Sequence, residues 1–308
     1  MVFKNSIINA KTERKIQNAV IINGLLEIET LNYFSEREFK YFVFPEICDQ
    51  PFVNDNIISF EKNEKRIVLC SNQAIRISAA SSLYDKVFCI SGCFRNEPYD
   101  DGVHLSSFKM LEAEFKSNSE EALFILIEAY LKHMINWFND YIVENNLLDV
   151  FEKININFPI TRKAFDTMYA ELPQDGDKPH IDPVSFTDDE ITKYIIQPTF
   201  ITYYPSVGRW RALKKDNEHS YLFNLILPNG YGELFEFSLK ETDFDFYYSR
   251  FKENGSLEYY KWYLDSIKGE KMHHASLGMG IERLGAWLMG LNSIDEQHLF
   301  SCLPEGDV

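Results

Sequence analysis

At Gly280 the hydrophobic pattern changes period without an intervening turn. Residues 273–280, HHASLGMG, read as an extended segment, and IERLGAWLMGL directly after it carries apolar residues at helical spacing. A strand that feeds straight into a helix leaves its junction little freedom. Glycines at 278 and 280 let that backbone pass close to a ligand. Arg283 falls in the first helical turn, beside amide groups that already attract anions. A lone G-x-G says little; G-x-G-x-E-R-L behind a strand constrains much more.

A second constellation lies upstream. VFCISGCF (87–94) reads as a strand, NEPYDDGVHLSS (96–107) as a polar loop, and FKMLEAEFK (108–116) alternates as a strand does. Together they predict a hairpin with a long loop at its tip. Arg95 and Glu97, two residues apart, share a strand face. An arginine there can grip a phosphate bidentately, Phe108 can stack on a purine, and a carboxylate can hold a substrate ammonium. An exposed strand with cross-strand Arg–Glu pairs accounts equally well for this segment taken alone.

The remaining pattern fixes the class. Residues 13–34 place apolar side chains at steps of three or four and predict a long amphipathic helix, with Gly24 in its interior. Phe39 to Phe44 reads as extended and stops at Pro45. Residues 66–80 read as a strand end, a turn at Ser71-Asn72 and a helix. Residues 119–147 are helical, and 163–196 read as loops and short helices. TFITYYP, YLFNLILP and YGELFEFSLKE are strands, and YYSRFKENGSLEYYKWYLDSIKG is a helix. The expected fold is α+β: a mainly antiparallel β-sheet flanked by helices.

Composition narrows the partners. In 308 residues, 45% are apolar and 15% aromatic, enough for a sizeable core. The net charge of −16 argues against a dedicated nucleic-acid binder, although a local basic patch stays compatible with it. The five cysteines are odd in number and form no C-x-x-C pair, so free thiols in a reducing, cytoplasmic setting fit best. The N-terminus MVFKNSIINAKTERK lacks the apolar core of a signal peptide. The run ALFILIEAYL is about half the length needed to cross a bilayer, so no membrane partner is expected. His273-His274 reads as a structural pair, because adjacent strand residues face opposite ways and Glu270 alone does not complete a ligand set. Tyr-, Phe- and Trp-rich stretches such as FDFYYSRF read as packing, and Lys214-Lys215 as a solvated turn.

With these residues in place, a family resemblance emerges. F-R-x-E with a downstream Phe and E-x-E resembles motif 2 of the class II aminoacyl-tRNA synthetases. G-M-G-I-E-R-L resembles motif 3, and Tyr33 to Pro45 resembles part of motif 1, the element through which the family dimerises. LCSNQ, PTFITYYP, GYGELFEFSLKETDFDFYYSRF, SLEYYKWYLDSIKG and HHASLGMGIERLGAWLMGLNSIDEQHLF are similar, in order and spacing, to the asparaginyl/aspartyl branch from about residue 13 onward.

The resemblance implies ATP and Mg²⁺ as ligands, an amino acid as co-substrate, and a homodimer. It assigns Arg95 to the α-phosphate and Arg283 to the γ-phosphate, both as catalytic groups. His104 would lie near the phosphates, and Phe108 and Arg283 would sandwich the adenine. Glu97 and Gly280 join the ATP site, and Glu233 would hold Mg²⁺. Ser71, Gln73 and Glu112 match residues of the amino-acid site, and Glu236 and Lys240 fall at its side-chain pocket. Several positions depart from the branch. Val103, Ser107 and Asn224 stand where it carries arginine, glutamate and aspartate. Where the branch reads Gly-Gly-Ser-Gln-Arg, the chain reads Glu236-Phe237-Ser238-Leu239-Lys240. Two bulky residues in place of the glycines imply a reshaped pocket, and lysine does not replace a forked guanidinium conservatively. Only about a dozen residues precede the motif 1 helix, where the branch carries its anticodon-reading barrel. A single catalytic domain over 1–308, without full tRNA recognition, is therefore expected. The expected activity is ATP-dependent formation of an aminoacyl-adenylate from asparagine, aspartate or a variant, with transfer to a non-tRNA acceptor: ammonia, an amine, a carrier or a peptide. Two alternatives stand beside it: a truncated enzyme of the branch that charges tRNA, and a non-catalytic paralogue that binds an amino acid or a partner.

Overall fold

Side chains alternate faces along a strand, so a strand buried on one side shows a period of two. In His274–Gly280, Ala275, Leu277 and Met279 are buried while Ser276, Gly278 and Gly280 are half-exposed. One sheet face is core; the other is a floor around Gly278 and Gly280 that gives way to a second apolar cluster at Ile201, Leu222 and Ile226. The structure, a computed structural model, describes residues 2–48, 57–96, 102–172, 191–207 and 211–304. Glu97 lies outside the described residues, as does the middle of the 163–196 segment.

The chain begins with β1 (Val2–Asn5), α1 (Ile7–Thr12) and α2 (Arg14–Glu36). Short strands β2 (Lys40–Tyr41), β3 (Ile47–Cys48), β4 (Ser59–Lys62) and β5 (Lys65–Leu69) lead to α3 (Ala74–Ser81). The hairpin β6 (Lys86–Phe94) and β7 (Ser107–Lys116) is followed by α4 (Glu120–Glu144), β8 (Thr161–Ala164) and α5 (Phe165–Glu171). Then come β9 (Thr199–Thr202), β10 (Leu222–Leu227) and β11 (Gly232–Lys240), and helices α6 (Phe244–Glu253) and α7 (Leu257–Ile267). The last elements are β12 (His274–Gly280), α8 (Ile281–Met289), a 3-10 turn (Ile294–Gln297) and β13 (Phe300–Leu303).

Eight strands form the main sheet in the order β2-β6-β7-β12-β11-β10-β9-β8. The six inner strands pair antiparallel, and only the edge pairs β2–β6 and β8–β9 are parallel. The expected α+β class and the long-looped hairpin are what is found. The aromatic run 39–44 pairs at the edge with β6, at Lys40–Tyr41 and through the Phe42 N–H to Phe88 O at 2.9 Å. One local expectation is corrected. The helix expected over 247–269 is two helices: Gly255 sits at φ +73° behind the α6 C-cap Asn254, and an Asn-Gly pair stops a helix in this way.

The core lies between one sheet face and helices α2, α4 and α8. Helix α4 buries Leu123, Phe124, Ile127, Tyr130, Leu131, Met134 and Phe138, which recur every three or four residues. Its apolar run is thus a core helix, and no helix among the described residues is long and apolar enough to span a membrane. Phe124 meets Phe200, Phe223 and Phe237 at ring centroid distances of 4.9, 5.1 and 5.2 Å, all edge-on. Each such pair adds about 0.5–1.5 kcal/mol beyond the area it buries. The rigidity of this layer is what fixes the residues on the opposite face.

Candidate active site

The strand register sets the floor. At one level Glu236 of β11, Gly278 of β12 and Glu112 of β7 stand side by side; at the next, Ser238, Ser276 and Glu114 do. One level the other way, Gly280 pairs with Met110. Every one of these side chains shares the floor face. A Cβ placed on Gly278 would meet only the Met110 methyl, at 3.4 Å, and one on Gly280 only the Cβ of Arg283, at 3.7 Å. Neither glycine is required by the protein's own packing, so the space above them is left for something else.

Glu233 and Glu236 are three residues apart, and a regular strand would turn them to opposite faces. A β-bulge prevents this. Leu225 pairs with Phe235 but Ile226 pairs with Glu233, so Leu234 is an extra residue and the parity resets. Glu233 therefore joins the floor, where its Oε2 accepts a 2.8 Å hydrogen bond from Asn224 Nδ2.

Arg95 follows β6, with its backbone N–H donated to Ser106 O. Its guanidinium lies 5.1 Å from the centre of the Phe108 ring, and Nη2 is 3.9 Å from Met110 Sδ. Its Nε is buried without a hydrogen-bond partner among the described residues. Such a buried donor is costly unless something supplies an acceptor. The guanidinium over Phe108 is thus that of Arg95. Arg283, in the first turn of α8, donates Nη1 to Glu233 O (3.0 Å) and Nη2 to Val103 O (3.3 Å), and Nη2 lies 3.2 Å from His104 Nε2. His104 from the motif 2 loop and Arg283 from motif 3 thus meet directly, while Arg95 lies against Phe108. Helix α8 is locked to β7 by Glu282, whose buried carboxylate accepts the Lys109 N–H at 3.0 Å. Burial raises that carboxyl to about 7 against the Lys109 amide.

Toward the other end of the floor the charges are buried. Glu112 accepts the backbone N–H of Gln73 at 2.5 Å. Burial raises its carboxyl to about 7, opposed by that amide and by Arg211, Arg95 and Lys240. Lys240 is pushed down to about 8, first by burial and next by Arg211, with Glu236, Glu114 and Glu112 pulling the other way. Ser71, two residues before Gln73, is buried. Gln73 contributes its amide N–H, while its side chain turns to Pro45 O and Arg76. Glu114 is fully satisfied by Ser78, Ser81 and His274 Nδ1, each at 2.7 Å, which holds its carboxylate low and the imidazole high. His274 is therefore structural, and the described residues contain no cluster of metal-ligating side chains.

One expectation is overturned here. Phe237 does not fill the amino-acid pocket: it lies on the core face among Phe124, Phe200 and Phe223. Of the two bulky residues only Glu236 enters the floor. Arg211 went unnoticed in the sequence; it sits in a non-periodic loop, with no pattern to mark it. As for Mg²⁺, Glu233 is one carboxylate and Asn224 a neutral amide. Magnesium at nucleotide sites takes one or two carboxylates plus phosphate oxygens, so the residues fit as a single-carboxylate site.

The sheet floor thus carries two guanidiniums at one end and a buried carboxylate–cation group at the other. A family model described as tRNA synthetases class II (D, K and N) matches residues 3–303, and the chain belongs to that family. It is 31% identical over 234 residues to an asparagine–tRNA ligase of Lactobacillus johnsonii, covering 71% of this chain and 53% of the relative. It is 28% identical over 303 residues to that of Streptococcus agalactiae, covering 92% of this chain and 66% of the relative. The chain thus spans between about half and two thirds of these relatives. Among solved structures, asparaginyl-tRNA synthetase of Entamoeba histolytica in complex with asparaginyl-adenylate superposes with a TM-score of 0.83 at 19% identity, over 95% of this chain and 68% of that one. The Pyrococcus horikoshii enzyme, likewise with asparaginyl-adenylate, gives 0.81 at 20%, over 95% and 70%. These likenesses establish the catalytic-domain fold.

Proposed function

We propose that this chain binds ATP across Gly278 and Gly280 and joins the α-phosphate to the carboxylate of an α-amino acid, releasing pyrophosphate. The observation that carries this reading is the convergence of Arg95 and Arg283 on one open glycine floor. A carboxylate oxygen attacks the α-phosphorus, and negative charge grows on the phosphoryl oxygens. Arg95, with its buried Nε–H, is placed to neutralise that charge, where a preorganised donor contributes most. Arg283 and His104 hold the outer phosphates, and Phe108 supplies a flat apolar surface for the base. Glu233 would hold Mg²⁺, which would offset the negative charge of the phosphates. Glu112 takes the α-ammonium, with Ser71 and Gln73 beside it. Glu236, Lys240 and Arg211 face the side chain of the amino acid.

Asparagine, aspartate or a close analogue is the expected substrate class. For the acceptor two readings stand. Ammonia, an amine, a carrier or a peptide is consistent with Glu236 and Lys240 reshaping the pocket. Charging of tRNA is favoured by the relatives, which are named asparagine–tRNA ligases. A homodimer in the cytoplasm completes the proposal. ATP–pyrophosphate exchange, screened across amino acids and analogues, tests it. Exchange with at least one is expected; none at all, beside a working control synthetase, would leave only a binding role. Charging of total tRNA with the active amino acid then separates the two acceptors.

A further inference from the structure

We propose that Cys70 is a peroxide-reactive thiol and that Cys48 resolves it, so that the two close to a disulfide across the β3–β5 ladder. The register places them together. Ile47 pairs with Leu69, Cys48 with Val68, and the Cys70 N–H donates to Glu46 O at 2.8 Å. Residues 46, 48, 68 and 70 thus share one face, and Cys48 is the diagonal neighbour of Cys70. Cys48 is the first influence lowering the Cys70 thiol, and Arg76 Nη1 stands 3.4 Å from the Cys70 sulfur. A guanidinium and a second thiol on one sulfur favour the thiolate, which is the nucleophilic form. The Cys70 thiol is accordingly lowered to about 6, by Cys48 first and then Arg76, against its burial.

The other cysteines show the contrast. Cys89 and Cys93 are fully buried, and burial pushes both thiols up; Cys302 is raised for the same reason. Cys48 is half-buried, which gives a small oxidant a way in. All five are reduced in this structure.

The chemistry balances with a peroxide as oxidant. The Cys70 thiolate attacks one peroxide oxygen, the O–O bond breaks, and the released hydroxide takes a proton to become water. The sulfenic acid left on Cys70 is then attacked by the Cys48 sulfur. The S–S bond forms, the S–O bond breaks, and a second water leaves with the Cys48 proton. Two thiols and one hydrogen peroxide give one disulfide and two waters.

The pair borders the amino-acid end of the floor. Cys70 precedes Ser71 and Gln73, its carbonyl accepts the Phe94 N–H at 2.9 Å next to Arg95, and Arg76 also binds Gln73 Oε1 at 2.7 Å. Oxidation removes the thiolate from Arg76 and ties β3 to this wall. The effect on amino-acid binding rests on the proposed function; the thiol chemistry does not.

The test treats the whole reduced chain with hydrogen peroxide and maps its thiols by differential alkylation and peptide mass spectrometry. Loss of two of the five thiols is expected, with a cross-linked Cys48–Cys70 peptide that reductant reverses. In Cys48→Ser, Cys70 should instead be trapped by dimedone as the sulfenic acid. Arg76→Met should move the pH midpoint of Cys70 alkylation upward by about one unit. A stable Cys70 sulfenic acid without the cross-link in the wild type would overturn the proposal. So would oxidation that spares both residues, or a Cys70 midpoint at the ordinary thiol value. The wild-type peptide map decides the matter even if a variant does not fold. A separate exchange assay on oxidised and reduced protein reads the consequence for the site.

Discussion

The two faces of the central sheet are built from the same strands, often from adjacent residues, yet they obey different rules. On the core face Phe235, Phe237 and Leu239 are buried among aromatics and aliphatics. On the floor face Glu236, Ser238 and Lys240 alternate with them on β11, and Lys240 and Glu112 are buried charges shifted toward neutrality. The core face gains stability from area removed from water. The floor gives stability up, because buried ionisable groups cost free energy unless paired. A protein keeps such a surface when the charges have work to do. The two sides should therefore respond differently to substitution: changes at the Arg95 end of the floor should alter chemistry and leave the fold, core changes should do the reverse, and breaking the buried Glu114–His274 pair should cost stability.

The largest expected effect is on the floor. Arg95→Ala should lower pyrophosphate exchange by about 10²–10³-fold, as loss of a transition-state donor does, while the melting temperature stays within a degree or two of wild type. A variant that melts much lower would place Arg95 with the core instead. Phe237→Ala makes the opposite case. It empties a ring-sized space between Phe124 and Phe200 and should cost roughly 3–5 kcal/mol in denaturant unfolding, with amino-acid preference unaltered in the protein that remains folded. A changed preference would return Phe237 to the pocket.

Next in size is His274→Leu, which strands the Glu114 carboxylate with two serine hydroxyls. A loss of about 3 kcal/mol is expected at neutral pH, since breaking a buried pair leaves a charge without its partner. The sign with pH follows from both shifts. His274 is raised, so its contribution is full below its unfolded value of 6.5 and is lost as pH rises through the folded one. Glu114 is lowered, so its contribution is present above 4.5 and is lost as pH falls through its folded value. The variant should lack both flanks in an unfolding series across pH.

Glu282 behaves in the other direction. It is raised from 4.5 to about 7, so the native state holds the extra proton between those values and stability falls as pH rises across the window. Glu112 titrates over the same range. Glu282→Gln keeps an acceptor for the Lys109 amide and should remove about half of that slope. An unchanged slope would mean that Glu282 is ionised throughout. The smallest effect is expected from Asn224→Asp, which puts a second carboxylate beside Glu233. It should lower the Mg²⁺ needed for half-maximal exchange by a few-fold, read from a magnesium titration.

Much of this was legible in the pattern of residues. The period change at Gly280 marked β12 and α8, and the alternation in 108–116 marked β7 with Glu112 on the floor. Phe237 was legible too: F-E-F-S-L-K alternates apolar and polar, and parity assigns it to the core. Reading the segment as a replaced glycine pair hid that signal. The Leu234 bulge was not legible, because an unpaired residue is defined by its partner strand and not by its own sequence. Arg211 escaped for a related reason. Its charge acts on Glu112 and Lys240 from a loop, and loops carry function without period. Gln73 shows a third limit: its backbone amide, not its side chain, meets Glu112.

The most direct test of the account is equilibrium binding of ATP with Mg²⁺, measured by calorimetry on the wild type, Arg95→Ala and Arg283→Ala. One site is expected in the wild type, weakened at least tenfold in each variant at unchanged melting temperature. Equal affinity in all three proteins would mean that the two guanidiniums do not share a nucleotide.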